Sequence, residues 1–551
     1  MNPRERIKTI LCLLLAFALL SAFFTACSAP EENDGPRQPQ TAPIEPDTSL
    51  FITMMEDEPD TVDFQCTTIY YTVATNVFDR LVEMKTDAEG NAKIVPSLAE
   101  SWEVSEDGRA YTFHLRENVT FSNGSPLTAS DVLYTLTRLL THPDSCNRDI
   151  ADDIVGAEAL ERGEADRLEG FALLGDLDFT LTLNQPFEAF LACLSMPGAS
   201  ILDEETTLAA GNRFGLDPEW TIGTGPFILW QWEPRKGMMF RANPNSWWGT
   251  PGCEGVNLLF MTEPEEVRAM FEKGDMDILD LDEVGNSAEF FIHGDIYQDR
   301  LHQVQRIGIT YIALNESIAP LNDVRVRRAL QLGLNRVVLL DAVYSGRGTV
   351  ENGIFPHGLY GFNPELPEIP YDPDEARSLL AQAGYADGFD LTVSVKSSST
   401  QWEMILMEMA VSMWEKIGVR ASIEVMEENE FMRLRKNGSL SCYTAMWTAD
   451  FNDPDNFIYT FFGNSENSSF RSLCYANEEI MARVRQARTI SDAEARLKEY
   501  QALEKIIVQD DAAWIPLFSR LRHYVVSERM EGFQVTWNGS VKNCFRYFSV
   551  K

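Results

Sequence analysis

The sequence has 551 residues, which is too long for a single hydrophobic core and predicts a chain folded into more than one lobe. Hydrophobic residues make up 44% of the chain and charged residues 24%, as is usual for a globular protein. The formal net charge of -38 excludes a general affinity for nucleic acid or for an anionic bilayer surface, because both are themselves negatively charged.

The N-terminal residues 1–26 are typical of a secretory signal peptide. A short basic start is followed by an apolar stretch over residues 10–24, which is shorter than a membrane-spanning helix. Small residues then precede Cys27, and this arrangement resembles a bacterial lipoprotein signal, in which the cysteine thiol carries the lipid. The alternative is ordinary cleavage nearby, with Cys27 as an incidental residue.

Residues 27–47 form the next segment and contain five prolines among polar and acidic residues. Such a composition cannot bury apolar area, so we expect a flexible linker. The cysteines beyond Cys27 are scattered, without a C-x-x-C pair, so the sequence predicts no metal site. We interpret these cysteines as buried free thiols.

Helical and strand patterns alternate along the rest of the chain, which predicts an α/β fold. Thr128 and Asp131 have the spacing of a capping box and predict the start of a helix. Asp323 predicts the start of another helix, with an apolar stripe that extends to Val337.

A parallel β-α-β unit is predicted between residues 390 and 425. Two alternating strands flank a helical pattern, and Gly418 ends the helix. Just before this unit, Asp372 with a following proline predicts the start of a further helix, which Gly384 ends. Loops after the strands of such units are where open α/β sheets bind ligands.

A strand is predicted over residues 442–448, so that Asp450 lies just beyond its end. A carboxylate there, beside Trp447, suits a ligand ammonium group, because the charges pair and the ring adds cation-π attraction. The residues alone equally allow Asp450 to form a turn or cap a helix. We interpret the neighbouring Asp453 and Asp455 as turn-forming residues.

Four segments in order resemble the family-5 extracellular solute-binding proteins, which include dipeptide, oligopeptide and nickel binders. The segments are residues 98–132, IGTGPF at 222–227 with 243–248, 324–336 with 371–373, and WTADFNDP at 447–454. The resemblance covers nearly the whole chain after the linker, and four motifs in the right order are far more specific than any one of them.

The resemblance implies a periplasmic-binding-protein-like class II fold, with two main lobes around a ligand cleft and a third, inserted lobe. Lobe I is expected to comprise residues 48–92, 205–304 and 513–551, lobe II residues 93–204, and lobe III residues 305–512. The chain would cross twice between lobes I and III and form a hinge that closes around the ligand.

By the same resemblance, the protein is an extracytoplasmic, lipid-anchored and monomeric component of an ABC importer, with no enzymatic activity and no cofactor. It would capture a peptide and deliver it to the permease and ATPase subunits. In peptide-binding relatives the aspartate of the fourth segment holds the peptide N-terminus, a role that falls here on Asp450. The other implied ligand contacts are Trp447, Thr448, Ala449, Thr68, Tyr71 and Trp402.

One departure from the family concerns the ligand's C-terminus. Dipeptide-binding relatives place an arginine just before the helix that begins here near Trp402, whereas this chain has KSSSTQ at 396–401. Lys396 could substitute only as a point charge without the bidentate fork of arginine. A longer peptide with a free C-terminus, or another solute, is therefore an alternative to a dipeptide.

Two further functions are weighed as alternatives. A nickel chelate or haem is the alternative within the family, although no histidine lies in the fourth segment. A secreted hydrolase is the alternative from another class, but neither H-E-x-x-H nor G-x-S-x-G is present.

Overall fold

The computed structural model describes residues 50–86, 92–261, 263–282, 284–542 and 545–551. The predicted signal peptide, the proposed lipid site Cys27 and the predicted linker lie outside the described residues. Within the described ranges, no helix combines the length and the apolar character needed to cross a bilayer.

Twenty strands are found in the described part of the chain. They are β1 Phe51–Met55, β2 Val82–Thr86, β3 Ala92–Pro96, β4 Ala99–Val104, β5 Ala110–Leu115, β6 Phe171–Leu173, β7 Asp178–Thr182, β8 Phe227–Glu233, β9 Gly237–Ala242, β10 Gly255–Leu259, β11 Ile278–Asp280, β12 Leu301–Gln305, β13 Gly308–Leu314, β14 Gly348–Val350, β15 Phe389–Lys396, β16 Val419–Met426, β17 Cys442–Thr448, β18 Trp514–Val526, β19 Met530–Glu531 and β20 Ser549–Val550.

The α-helices alternate with these strands. Their bounds are Thr72–Val77, Ala129–Thr141, Ala157–Glu161, Phe190–Leu194, Glu204–Ala210, Pro264–Lys273, Ala288–His293, Val324–Leu332, Arg336–Tyr344, Pro373–Gln382, Gln401–Glu415, Glu428–Lys436, Asp455–Phe462, Ser465–Phe470, Glu478–Ala487 and Ala493–Lys505.

The largest sheet has 12 strands in the order β16-β15-β17-β13-β18-β11-β1-β10-β9-β8, and β12 and β14 also pair with β18. The first part of β18 pairs with β13, whereas its last part pairs with β11 and β12. The long strand β18 and the consecutive strands β12 and β13 thus connect the two ends of the sheet. A separate sheet of four strands has the order β4-β5-β7-β6.

Buried apolar side chains form four separate clusters among the described residues, three of them large. The large core draws on residues 307–518, the second core on residues 81–222 together with Phe451, and the third core on residues 52–78, 202–278 and 524–548. A smaller fourth cluster packs beside the third core. The lobe boundaries taken from the sequence stay a prediction.

Several sequence predictions about local structure are confirmed. Thr128 and Asp131 form the predicted capping box, and Asp323 and Asp372 each cap the helix that follows them. The β-α-β unit is present, with β15 and β16 parallel along their whole length. Gly418 ends its helix region with a φ of +94°, a left-handed backbone conformation that suits glycine.

The helix that begins after Asp323 is shorter than predicted, because it ends at Leu332. Asn335 then caps a new helix by accepting a hydrogen bond from the backbone of Val338. As a result Val337 lies in this second helix and is 66% exposed, rather than on the buried stripe.

Candidate functional site

The predicted site begins at the end of β17, which lies between β13 and β15 in the large sheet. Gly308 of β13 pairs with Thr448, and the Ala449 backbone N–H donates to the Ile307 carbonyl at 2.9 Å. Ala449 is buried, while Trp447 and Thr448 are partly exposed. The chain then leaves the sheet, so Asp450 lies beyond the strand end, as the sequence predicted.

The Asp450 turn is held by Asn456, which belongs to the helix Asp455–Phe462. The Asn456 side-chain oxygen accepts from the Asp450 backbone N–H at 3.0 Å and from the Trp447 indole N–H at 3.3 Å. Its amide Nδ2 donates to the Asp450 carboxylate at 3.1 Å. One asparagine thus fixes both the carboxylate and the ring beside it.

The Asp450 carboxylate has no cationic partner of its own: no lysine, arginine or histidine nitrogen in the described ranges lies within 4.0 Å of it. Burial raises its pKa to about 6, and the charge of Asp149 raises it further, whereas the hydrogen bond from Asn456 and the charge of Arg471 lower it. The Asp450 residue as a whole is nevertheless only partly buried. It is an anion in a poorly solvated position that remains accessible to a ligand.

Tyr71 approaches the same place from the third core, against which its ring packs. Its hydroxyl donates to the Thr67 carbonyl at 2.9 Å and to Asn147 Oδ1 at 3.2 Å. Burial raises the pKa of the hydroxyl, and the charges of Asp450 and Asp149 raise it further. The charge of Asp450 therefore acts on Tyr71, although the two residues are far apart in the sequence.

Asp149 reaches the site from the second core, since the neighbouring Ile150 is part of that core. Its side chain is exposed, yet burial by the surrounding protein raises its pKa, while the charges of Arg471 and Arg488 lower it. Residues from three cores thus influence one another electrostatically around Asp450.

The remaining predicted contacts differ in their placement. Thr68 is exposed on the loop that precedes Tyr71. Trp402 lies in the first turn of the helix Gln401–Glu415, and its ring packs on Tyr344 with centroids 5.6 Å apart, so it is not joined to the Asp450 turn by any ring contact among the described residues. Lys396, the substitute for the absent arginine, pairs with Glu428 at 3.6 Å.

Asp453 and Asp455, interpreted from the sequence as turn-forming, are held in buried ion pairs. Arg496 donates to both Asp453 oxygens, at 2.8 and 2.6 Å. Asp455 accepts from Arg488 at 3.2 Å and from the Tyr500 hydroxyl at 2.8 Å. Both carboxylates are therefore structural, and the contrast with the unpaired Asp450 distinguishes the three acids of one motif.

Three residues at the site were not found by reasoning from the sequence: Asp149, Asn456 and Arg471. Asn456 stands in the conspicuous run DPDNF, so its place after the fourth segment was a usable signal. Asp149 and Arg471 lie in segments without a pattern. Packing of the second core against the large core brings Asp149 towards Asp450, whereas Arg471 is positioned by packing within the large core, over Trp447 and Phe461.

One group of possible metal ligands lies nearby. Asp63, Cys66 and His142 offer donor atoms within 4.8 Å of one another. The Asp63 carboxylate is already paired with Arg138 at 2.5 Å, and burial raises the pKa of the Cys66 thiol to about 12. These groups are accounted for as a hydrogen-bonded network, and we derive no cofactor from them.

The cysteines of the described ranges are all free. Cys193, Cys253 and Cys442 are buried, as interpreted from the sequence, whereas Cys146 is exposed and Cys66 and Cys474 are partly exposed. Two surface depressions of about 590 and 560 Å³ lie away from Asp450, one beside Trp232 and one beside His302. Neither includes any residue of the predicted site.

A 12-stranded sheet whose two ends are connected through β18, beside a separate four-stranded sheet, is the architecture of the periplasmic-binding-protein-like class II fold. The sequence profile of the bacterial extracellular solute-binding proteins, family 5 Middle, matches residues 93–469. The chain belongs to this family, whose members bind solutes rather than act as enzymes. The predicted resemblance and the predicted class II fold are confirmed.

Similar proteins include haem-binding protein A of Haemophilus influenzae, 29% identical over 478 residues that cover 85% of this chain and 86% of that protein. The dipeptide-binding protein of Escherichia coli is 28% identical over 491 residues, covering 86% of this chain and 89% of that protein. The structure of HbpA2 from Haemophilus parasuis superposes with a TM-score of 0.73 at 27% identity, covering 91% of this chain and 99% of that chain.

Proposed function

We propose that this protein captures peptides outside the cytoplasm and delivers them to the permease and ATPase subunits of an ABC importer. The main support for the proposal is the environment of the Asp450 carboxylate. It is poorly solvated, has no cationic partner among the described residues, and lies beside the Trp447 ring. A peptide α-ammonium group supplies the missing charge, and the indole ring adds cation-π attraction.

The relatives support a peptide ligand, since the dipeptide-binding protein of Escherichia coli is similar over most of both chains. The haem-binding relative favours a second candidate, a haem ligand. The two differ in a simple measurement, because bound haem gives a strong visible absorption band and a peptide gives none. In either case we propose binding without turnover.

We further propose that the three cores correspond to three lobes, and that the protein works as a monomer whose lobes close on the ligand. Thr68 and Tyr71 would line one wall of the cleft, and Trp447, Thr448 and Ala449 the other. Cys27 would carry a lipid that holds the protein at the outer face of the membrane. Trp402 is proposed as a contact for the distal part of a longer ligand.

The test is a double-mutant cycle at Asp450. Native mass spectrometry of protein from its own cells, or a screen of free peptides, first supplies a binding peptide. Calorimetry then compares the wild type and Asp450→Asn, each with the free peptide and its N-acetylated form. Losing one partner of a buried ion pair costs about 3–5 kcal/mol, or roughly 100- to several-thousand-fold in Kd.

Each change alone should weaken binding by that amount, and both together should weaken it little further, because the pair is already broken. Asp390→Asn is the matched control, because that carboxylate is exposed and pairs with Arg420 at 2.7 Å on the surface. Additive losses, or normal binding by Asp450→Asn, would return Asp450 to the role of a turn-forming residue.

A further inference from the structure

Arg471 is a second charged group at the cleft, and the proposed function does not yet use it. It follows the helix Ser465–Phe470, and its guanidinium carbon lies 5.5 Å from the Trp447 ring centre and 5.0 Å from that of Phe461. Its side chain makes one hydrogen bond within the described ranges, from Nη1 to the Asn467 carbonyl at 3.2 Å. The remaining N–H groups are left for another partner.

This guanidinium lacks a carboxylate within 4.0 Å, as far as the described residues go. Three other buried arginines of the large core do have one; the pairs are Arg327 with Glu316 at 3.1 Å, Arg488 with Asp455 at 3.2 Å, and Arg496 with Asp453 at 2.6 Å. Burial lowers the pKa of Arg471, as expected for a cation whose desolvation is not compensated by an ion pair. Desolvation of the Arg471 guanidinium is therefore unfavourable, and a bound anion would offset that cost.

Asp450 and Arg471 are both placed next to Trp447. The Trp447 indole N–H and the Asp450 carboxylate share Asn456 as their hydrogen-bond partner, while Arg471 lies over the Trp447 ring. The charge of Arg471 also lowers the pKa of Asp450. A carboxylate and a guanidinium that do not pair with each other therefore both adjoin the Trp447 side chain.

Two opposite charges beside one side chain suit a ligand that itself carries an ammonium group and a carboxylate close together. An extended peptide spans about 3.5 Å per residue, so the termini of two or three residues are roughly 7–10 Å apart. Arginine also presents the planar fork that recognises a carboxylate through two hydrogen bonds. A long peptide would instead have to place its C-terminus far from this ring.

We propose that Arg471 binds the C-terminal carboxylate of a short zwitterionic peptide, of two or three residues, whose ammonium group pairs with Asp450. This inference rests on the proposed function. It assigns the carboxylate anchor to a residue after the fourth segment, where no arginine was expected, and not to the segment around Lys396, whose ammonium is engaged by Glu428.

The experiment uses a library of dipeptides and tripeptides with free termini, followed by the C-terminal amide of whichever peptide binds. Calorimetry compares the free acid and the amide on the full-length wild type and on Arg471→Gln. In the wild type, amidation should weaken binding on the order of 100-fold, as for the loss of a desolvated charge partner. Arg471→Gln should weaken the free acid similarly and make amidation nearly harmless.

Two further variants keep the result interpretable. Arg471→Lys retains the charge without the fork and should recover part of the affinity for the free acid only. Lys436→Gln is the matched control, because Lys436 is exposed and lies over the Phe470 ring at 5.5 Å, a ring that Arg471 also contacts at 5.7 Å. Lys436→Gln should bind both peptides as the wild type does.

Equal losses for acid and amide in Arg471→Gln would make Arg471 a structural residue and overturn the inference. The same follows if amidation becomes harmless only in Arg306→Gln, a guanidinium between β12 and β13 whose pKa is also lowered by burial. Binding that N-acetylation weakens but amidation leaves unchanged would overturn this inference alone. If no peptide binds the wild type, the proposed function falls together with it.

Discussion

Arg488 reaches Asp153 across the molecule, with Nη2 3.1 Å from the carboxylate, although the two residues are 335 positions apart in the chain. The same guanidinium pairs with Asp455 at 3.2 Å and lies 4.1 Å from the ring centre of Phe187. Phe187 belongs to the second core, and Phe457, two residues after Asp455, to the large core. Arg488 therefore bridges two cores beside the cleft.

Because Arg488 bridges two cores, we expect closure of the lobes to change when the charge of its partner Asp153 is removed. Asp153→Asn removes one carboxylate from Arg488 but leaves Asp455 in place, so no guanidinium is stranded. We expect the open arrangement to become more populated, with a larger radius of gyration in small-angle scattering and a peptide affinity weakened by about tenfold or less. Glu158→Gln, in an exposed pair with Arg162 at 2.5 Å, is the control. Unchanged scattering and affinity in Asp153→Asn would exclude a role in closure.

The raised pKa of Asp450 predicts a pH dependence of binding. The ordinary aspartate value of 3.8 is raised to about 6, first of all by burial. A protonated peptide ammonium pairs only with the ionised carboxylate, so we expect affinity to be highest near pH 7 and to fall below pH 6, approaching tenfold per pH unit. A smaller fall is expected towards pH 8, because the peptide α-amino group itself loses its proton with a pKa of about 8. Calorimetry between pH 5 and pH 8 measures this directly.

Asp450→Asn serves as the control for that pH dependence and should show a flat profile over the same range. Asp149 and Asp152 also have pKa values raised by burial, the latter to about 6. If the variant keeps the wild-type slope, the titrating group is one of these acids and not Asp450.

The sequence predicted what depends on neighbours along the chain. The capping box at Thr128 and the strand that ends before Asp450 follow from residue types at fixed spacing, and both are present. The residues that surround Asp450 from other parts of the chain could not be predicted in this way. Asp149 and Tyr71 reach Asp450 from other cores, and their approach depends on how the cores pack. The end of the helix after Asp323 was also missed. The apolar residues in the sequence suggested one helix up to Val337, whereas in the structure Asn335 caps a new helix.

The lipid anchor is tested through Cys27, which lies outside the described residues. If its thiol carries a diacylglyceryl group, metabolic labelling with a fatty-acid probe should mark the wild type and leave Cys27→Ala unlabelled. Cys12→Ala, within the predicted signal peptide, is the matched control and should be labelled normally. Equal labelling of wild type and Cys27→Ala would show that the anchor is absent or elsewhere.

We expect asparagine substitutions at Asp450 and Asp453 to have opposite effects on stability and on binding, although the two residues are only three positions apart. Asp453 is held by both terminal nitrogens of Arg496, whose side chain is 2% exposed. Asp453→Asn leaves that guanidinium buried without its partner, so we expect the free energy of unfolding to fall by about 3–5 kcal/mol. Asp453→Asn with Arg496→Met should regain part of the loss, because no charge is then left unpaired.

For Asp450→Asn we expect a change in the free energy of unfolding of the opposite sign. Because its pKa is raised in the folded protein, the contribution of this group to stability is fully present below pH 3.8 and is lost as the pH rises through about 6. At pH 7 the ionised form therefore opposes folding, and Asp450→Asn should leave stability unchanged or raise it by about 1–2 kcal/mol, less than a fully buried acid would give. Urea unfolding at pH 7 and peptide calorimetry on the same samples separate the two residues. A stable Asp453→Asn that fails to bind peptide, beside an Asp450→Asn that binds normally, would transfer the ligand's ammonium group from Asp450 to Asp453.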